Sequence, residues 1–114
     1  MAKKKYPDSL RRRLLIEQEL DPARALQIAE LYLEGGRTIE AVAFLAKAES
    51  RERLAELREQ AVREGDAFLL REISAALAEE FDAATWQALA EAASAAGKDH
   101  YAAEASRQAA RLED

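Results

Sequence analysis

Apolar and polar residues alternate with a helical period along most of the chain. Between Thr38 and Glu49, for example, apolar side chains recur at Ile39, Val42 and Leu45, which places them on one face of a helix. Stretches with this period are separated by glycine, proline, aspartate and serine, the residues that begin or end helices. The pattern predicts about seven helices and no strands.

Capping residues mark where the predicted helices begin and end. Asp21 followed by Pro22 predicts a helix start, because aspartate accepts the free N–H groups of the first turn and proline has no N–H to leave unpaired. The Gly35-Gly36 pair predicts the end of that helix. The other starts are predicted at Asp8 or Ser9, Thr38, Ser50, Asp66, Asp82 and Asp99, and the other ends near Glu19, Glu49, Glu64, Glu79, Gly97 and Leu112. Because the connections are short, successive helices are expected to pack as antiparallel neighbours.

The chain repeats itself around three glycines. Gly36, Gly65 and Gly97 lie 29 and 32 residues apart, within the period range of helical solenoids. Aligning them divides the chain into three helix-turn-helix units. The hairpins are predicted over about residues 21–49, 50–80 and 82–112.

The first and third units share a pattern of small and large apolar residues. The first has Ala25, Ile28, Ala29 and Tyr32 before its glycine and Ala41, Leu45 and Ala48 after it; the third has Trp86, Leu89, Ala90 and Ala93, then Ala102, Ser106 and Ala109. At these positions the sequence resembles the tetratricopeptide repeat. The middle unit departs from the pattern, because Arg58 replaces the small residue and Leu70 replaces the second-helix alanine. No unit has the closing proline of that family.

The resemblance implies an all-α fold of antiparallel hairpins stacked into a right-handed superhelix, with one additional N-terminal helix. It covers about residues 21–112. We expect a single domain over residues 8–114, preceded by a flexible basic tail over residues 1–7. An ordinary helix bundle is the alternative, because alanine-rich amphipathic helices joined by glycine turns also form bundles.

Composition excludes disulfides and thiolate metal sites. The 114 residues include four glycines, two prolines and no cysteine. The basic start is not followed by the apolar run of a signal peptide, and no stretch approaches the roughly 20 apolar residues that cross a bilayer. A cytoplasmic location is expected.

Catalytic chemistry has little support in the sequence. His100 is the single histidine; without cysteine it cannot make a zinc site, and nothing in the sequence places it in a nucleophilic triad. The sequence has no glycine-rich phosphate loop and no acidic calcium loop. We therefore expect no enzyme activity, no catalytic residue, no metal and no cofactor.

In tetratricopeptide arrays the first helix of each hairpin lines a concave groove. Three glutamates occupy equivalent places in the three first helices, so the resemblance implies a row of carboxylates along that groove. The groove residues predicted in this way are Glu30, Glu59, Glu91, Leu26, Leu33 and Gln87. An acidic, partly apolar groove favours a basic or amphipathic segment, so we expect a small scaffold or adaptor that binds a protein or peptide. The large side chains of Tyr32, Phe44 and Trp86 are expected in the core.

Charge is distributed unevenly along the chain. Residues 1–13 hold six basic residues and one acidic residue, a balance of +5, whereas the other 101 residues hold 11 basic and 21 acidic residues, a balance of −10. The six basic residues, called the basic arm below, are Lys3, Lys4, Lys5, Arg11, Arg12 and Arg13.

The basic arm allows several interpretations. One is a solubilising tail whose Leu10, Leu14 and Leu15 pack a capping helix onto the first hairpin. Another is that the arm covers the acidic groove until a basic partner displaces it. A third is binding to nucleic acid or a membrane, although the net charge of −5 argues against both as general partners. Pairing of the open ends of the array into a homodimer is a further alternative.

Overall fold

The computed structural model describes residues 6–113, which form seven α-helices and contain no strand. The predicted all-α class is confirmed, and no predicted helix end is more than two residues from the observed one. The helices are α1 (Ser9–Glu17), α2 (Pro22–Glu34), α3 (Thr38–Lys47), α4 (Arg51–Glu64), α5 (Ala67–Leu77), α6 (Ala83–Ala95) and α7 (Asp99–Glu113).

The chain divides into two compact units, with the boundary inside α4 between Leu54 and Ala55. Unit 1 contains α1, α2, α3 and the first residues of α4. Unit 2 contains the rest of α4 with α5, α6 and α7. Helices α2 and α3 pack together in unit 1, and α6 and α7 pack together in unit 2, where α5 also contacts α7.

Capping follows the sequence signals at three helices. The side chains of Asp8, Asp66 and Asp82 each accept a hydrogen bond from the backbone N–H three residues later. Thr38 was expected to cap α3, but it is the first residue of that helix and Arg37 occupies the cap position without a side-chain bond. Asp99 was likewise expected to cap α7, but it is the first residue of that helix. Asp21 occupies the cap position of α2 without the expected side-chain hydrogen bond.

The three aligned glycines adopt the same left-handed conformation. Their φ angles are 74° for Gly36, 69° for Gly65 and 75° for Gly97. After each glycine, the next backbone N–H donates to the carbonyl oxygen five residues earlier, at 2.8 Å in all three turns. This bond is characteristic of the Schellman helix end. The turns that the glycine alignment predicted to be equivalent therefore have equivalent backbone geometry.

Two further helix ends repeat this geometry without glycine. Glu49 after α3 and Ala78 after α5 have φ angles of 56° and 51°. The N–H groups of the residues that follow them, Ser50 and Glu79, also donate to carbonyl oxygens five residues earlier, at 3.0 and 3.1 Å. Glu49 and Ala78 are 29 residues apart, the same spacing as the first two aligned glycines. The repeat thus extends to the second helix of the first two hairpins.

Four positions counted from each aligned glycine are buried in all three units. They lie eleven, eight and four residues before the glycine and eight residues after it, and each side chain is at most 4% exposed. The residues are Ala25, Leu54 and Trp86; Ile28, Leu57 and Leu89; Tyr32, Ala61 and Ala93; and Phe44, Ile73 and Ala105. The expectation that Tyr32, Phe44 and Trp86 belong to the core is confirmed.

The middle unit accommodates its departures from the repeat pattern. Arg58 stands where the other units have a buried alanine, and it is only partly buried. Its guanidinium lies 5.4 Å from the ring centroid of Phe81, which is buried, so the cation stacks on an aromatic face while its charge stays near solvent. Leu70, the second departure, is completely buried.

Helix α1 buries less than the sequence suggests. Leu15 is buried, whereas Leu10 is 71% and Leu14 is 51% exposed. The expectation that all three leucines pack on the first hairpin was therefore wrong for two of them. Residues 10 and 14 lie about 140° and 100° around the helix axis from residue 15, so a helix that buries Leu15 turns them away from the core.

Within the described residues, none of the helices combines the length and the apolar character needed to cross a membrane.

Candidate functional site

A groove with a volume of about 1440 Å³ lies on unit 1, lined by residues of α1, α2 and the segment before α1. Its apolar surface includes Leu26, which is 38% exposed, together with the partly buried Leu31 and the buried Ile28. Tyr6 and Pro7 also line it. A partly exposed leucine above a buried apolar layer is a surface that can bind another apolar side chain.

The segment before α1 is fixed against α2. The Tyr32 hydroxyl donates to the Pro7 carbonyl oxygen at 2.7 Å, and burial raises the pKa of Tyr32. The Tyr6 ring lies 4.9 Å from the Tyr32 ring, with the Arg37 guanidinium 5.5 Å from its centroid. Gly35 leaves room for this packing, because a Cβ there would lie 2.6 Å from the Tyr6 ring. Of the predicted flexible tail, residues 1–5 lie outside the described residues, while Tyr6 and Pro7 form part of the groove.

One of the predicted groove carboxylates already forms an ion pair with an arginine. Glu30 accepts two hydrogen bonds from Arg53, Nε to Oε1 at 2.8 Å and Nη2 to Oε2 at 3.1 Å. The hydrogen bond from Arg53 lowers the pKa of Glu30 below its ordinary value of 4.5. Glu30 therefore contributes a balanced ion pair to the groove rather than an unpaired negative charge.

We expect Glu30→Gln to lower the free energy of unfolding by less than about 1 kcal/mol at neutral pH, because the pair is partly exposed. A lowered pKa stabilises the fold above the ordinary value, and this contribution is lost as the pH falls through the folded-state pKa. The difference between wild type and variant should therefore shrink in acid, which urea unfolding at neutral pH and at about pH 3 would measure.

Glu34→Gln is a suitable control for that comparison, because Glu34 also lines the groove but is exposed. It should change stability little at either pH. A Glu30→Gln effect that persists undiminished at low pH would mean that the ion pair is not its source.

The remaining charges of the groove come from both ends of α2 and from α1. Arg24 lies near the start of α2, Glu34 is its last residue and Arg11 projects from α1; all three are exposed. Arg24 and Glu34 are ten residues apart, about 15 Å along the helix. Arg24 and Glu34 therefore place opposite charges at the two ends of the α2 side of the groove, with Leu26 and Leu31 between them.

The described residues of the basic arm have different surroundings. Arg11 lines the groove, whereas Arg12 lies 3.9 Å from Glu40 of α3 and Arg13 lies 3.3 Å from Glu17 of α1. Lys3, Lys4 and Lys5 are outside the described residues. The three arginines are thus adjacent in sequence but do not form one cluster.

The predicted groove residues are distributed over both units. Leu26 and Glu30 line the groove of unit 1, and Leu33 lies on the same helix, partly buried, without lining it. In unit 2, Glu59 and Glu91 are exposed on α4 and α6. Gln87 is also exposed and donates to the Glu113 carboxylate at 2.7 Å. The row of three carboxylates stays a prediction.

A shallow cleft that the sequence did not predict lies between α5 and α7, with a volume of about 580 Å³. It contains Arg71, paired with Glu104 at 2.7 Å, and Arg111, paired with Glu80 at 2.6 Å. His100 lies at its edge and is exposed. The two residues of each pair are more than 30 residues apart in sequence, so no local sequence pattern predicts the pairs. Because Arg71 and Arg111 are already paired with carboxylates, the cleft is a weaker candidate than the groove of unit 1.

Residues 6–113 contain no group of three or more histidine, aspartate or glutamate side chains that could hold a metal ion. Comparisons with family models, curated proteins and solved structures give no match to this chain.

Proposed function

We propose that the chain is a tetratricopeptide-like adaptor that binds an amphipathic, partly basic segment of another protein in the groove of unit 1. The observation that carries this proposal is the combination in one groove of an exposed leucine, an apolar floor and charges of opposite sign at its two ends.

The tetratricopeptide-like part of the proposal is supported by the repeated geometry of the hairpins. Three helix ends share a left-handed glycine and the same 2.8 Å backbone bond, and four buried positions recur in each unit. Small buried side chains such as Ala25, Ala29 and Ala41 permit close approach of the two helices of a hairpin. Helices held in this way form a rigid surface, so little ordering of the adaptor is needed on binding.

Chemistry and charge determine what kind of segment fits. The apolar side chains of the segment would cover Leu26 and Leu31. This contact would remove the apolar surface of both partners from water, which favours binding. Basic side chains at one end would lie beside Glu34, and acidic side chains or a free carboxylate at the other would lie beside Arg24. The balance of −10 over residues 14–114 adds a general attraction for the basic end.

The proposal is tested by selecting a displayed library of random peptides on the full chain. We expect the enriched peptides to share apolar residues at helical spacing with lysine or arginine toward one end. Leu26→Asp should weaken binding of these peptides at least about tenfold, because it places a charge where an apolar side chain must be buried. Fluorescence anisotropy with labelled synthetic peptides would measure the change.

Phe68→Asp is the matched control, since Phe68 is also 38% exposed but lies on α5 in unit 2. The selected peptides should bind this variant as they bind wild type. Equal binding to wild type and to Leu26→Asp, or enrichment of uniformly acidic peptides, would contradict the proposed site.

A further inference from the structure

Helix α1 exposes two leucines beside its arginines. Leu10 and Leu14, 71% and 51% exposed, are the most exposed large apolar side chains among the described residues. They are four residues apart, so they lie one above the other on the same side of the helix. Neither lines the groove of unit 1. This pair is therefore an apolar surface distinct from the proposed peptide site.

The same helix carries exposed positive charge. Arg11 and Arg13 are both exposed and flank the two leucines in sequence. The contact of Arg13 with Glu17 is a surface ion pair, with 79% and 62% of the two side chains exposed, and such pairs hold their partners weakly. Three lysines precede the helix in sequence, which brings the charge of residues 1–13 to +5.

From this combination we infer that α1 is a membrane-surface anchor, in which Leu10 and Leu14 insert between the headgroups of anionic phospholipids. The surface of such a bilayer satisfies both features at once, because phosphate groups attract the arginines and lysines while the acyl region receives the leucines. Nucleic acid would attract the basic residues but offers no comparable environment for two exposed leucines. This inference does not depend on the peptide-binding function proposed above.

The expected association is weak and reversible. Two leucines on a helix of nine residues bury little apolar area, so the electrostatic attraction must supply much of the binding. Binding should consequently decrease as salt screens the charges.

Flotation of the full chain with lipid vesicles tests the inference. Wild type should float with vesicles that contain phosphatidylglycerol. It should not float with vesicles of phosphatidylcholine alone. The double variant Leu10→Ser/Leu14→Ser should bind the anionic vesicles at least about tenfold more weakly, and Arg11→Gln/Arg13→Gln should lose about fivefold per charge removed. Both pairs are exposed, and circular dichroism would verify that the variants keep the helical content of wild type.

The control is Phe68→Ser, which removes another exposed apolar side chain and should float as wild type does. Four results would overturn the inference. One is equal binding to neutral and anionic vesicles, and another is unchanged flotation of Leu10→Ser/Leu14→Ser. The third is a dimer in solution that this double variant converts to a monomer, since a second copy would then cover the leucines. The fourth is binding to a DNA probe that depends on the arginines alone, without flotation, which would assign the arm to nucleic acid instead.

Discussion

Replacing Gly65 with alanine is expected to destabilise the protein by about 3 kcal/mol or more, because the change combines two costs. Gly65 has a φ of 69°, where a Cβ is unfavourable. It is also buried, and a Cβ there would lie 2.5 Å from the Cα and 2.6 Å from the backbone N of Ala93 in α6. Because those atoms are backbone, they can give way only if α6 moves. Urea unfolding monitored by circular dichroism would measure the loss.

Gly36→Ala and Gly97→Ala separate the two costs. Both glycines have φ angles close to that of Gly65, but a Cβ at either position would meet no described atom within 4 Å. Each substitution should therefore cost only the conformational term, about 1 kcal/mol. Equal losses for all three variants would show that the end of α4 does not approach α6 as closely as described.

Replacing Phe44 with alanine is expected to cost about 3 to 5 kcal/mol, since the side chain is completely buried and its removal leaves a cavity. Phe44 also stacks on Tyr32, with ring centroids 5.6 Å apart, and Tyr32 in turn holds the segment before α1 through its hydroxyl group. The variant should therefore loosen one wall of the groove as well as lower stability. Thermal and urea unfolding would give the stability, and hydrogen exchange of α2 would report the loosening.

Phe68→Ala provides the comparison for Phe44→Ala. Phe68 is partly exposed and lies 5.7 Å from the Arg71 guanidinium, so its truncation loses less buried area and one cation–π contact. We expect a loss of no more than about 1.5 kcal/mol. A Phe44→Ala loss as small as this would contradict the burial of the first hairpin's core.

The sequence was most informative where structure depends on local chemistry. Asp8, Asp66 and Asp82 cap helices because a short carboxylate reaches the N–H groups of the turn that follows it. Gly36, Gly65 and Gly97 end helices because glycine enters the left-handed region without strain. The spacing of the large apolar residues then identified the core, so the all-α class and the hairpin pattern could both be read directly.

Contacts between residues distant in sequence were harder to predict from the sequence. The Arg53–Glu30 pair joins positions 23 residues apart on different helices, and nothing local to Glu30 indicates it. The helix ends near Glu49 and Glu79 were predicted, but the left-handed conformation of Glu49 and Ala78 was not, because neither residue is glycine. The two exposed leucines of α1 look like core residues in sequence, because apolar character alone does not show which face of a helix is covered.

The structure changes which residues supply the charge of the proposed binding site. The sequence predicted three equivalent glutamates along one groove. In the structure Arg53 balances the charge of Glu30, while Glu59 and Glu91 are exposed on unit 2. The groove of unit 1 instead has Glu34 and Arg24 at opposite ends of α2, and Arg11 is contributed by α1. A partner segment is therefore expected to be oriented by charge and held by apolar contact with Leu26.

The most direct test of the adaptor proposal is to map, by NMR, which backbone amides of the wild-type chain shift when an enriched, partly basic peptide is titrated in. We predict saturable changes concentrated at the groove, with Leu26, Gln27, Leu31 and Glu34 among the most affected. Changes confined to α5 and α7 at saturation, with α2 unaffected, would contradict the account.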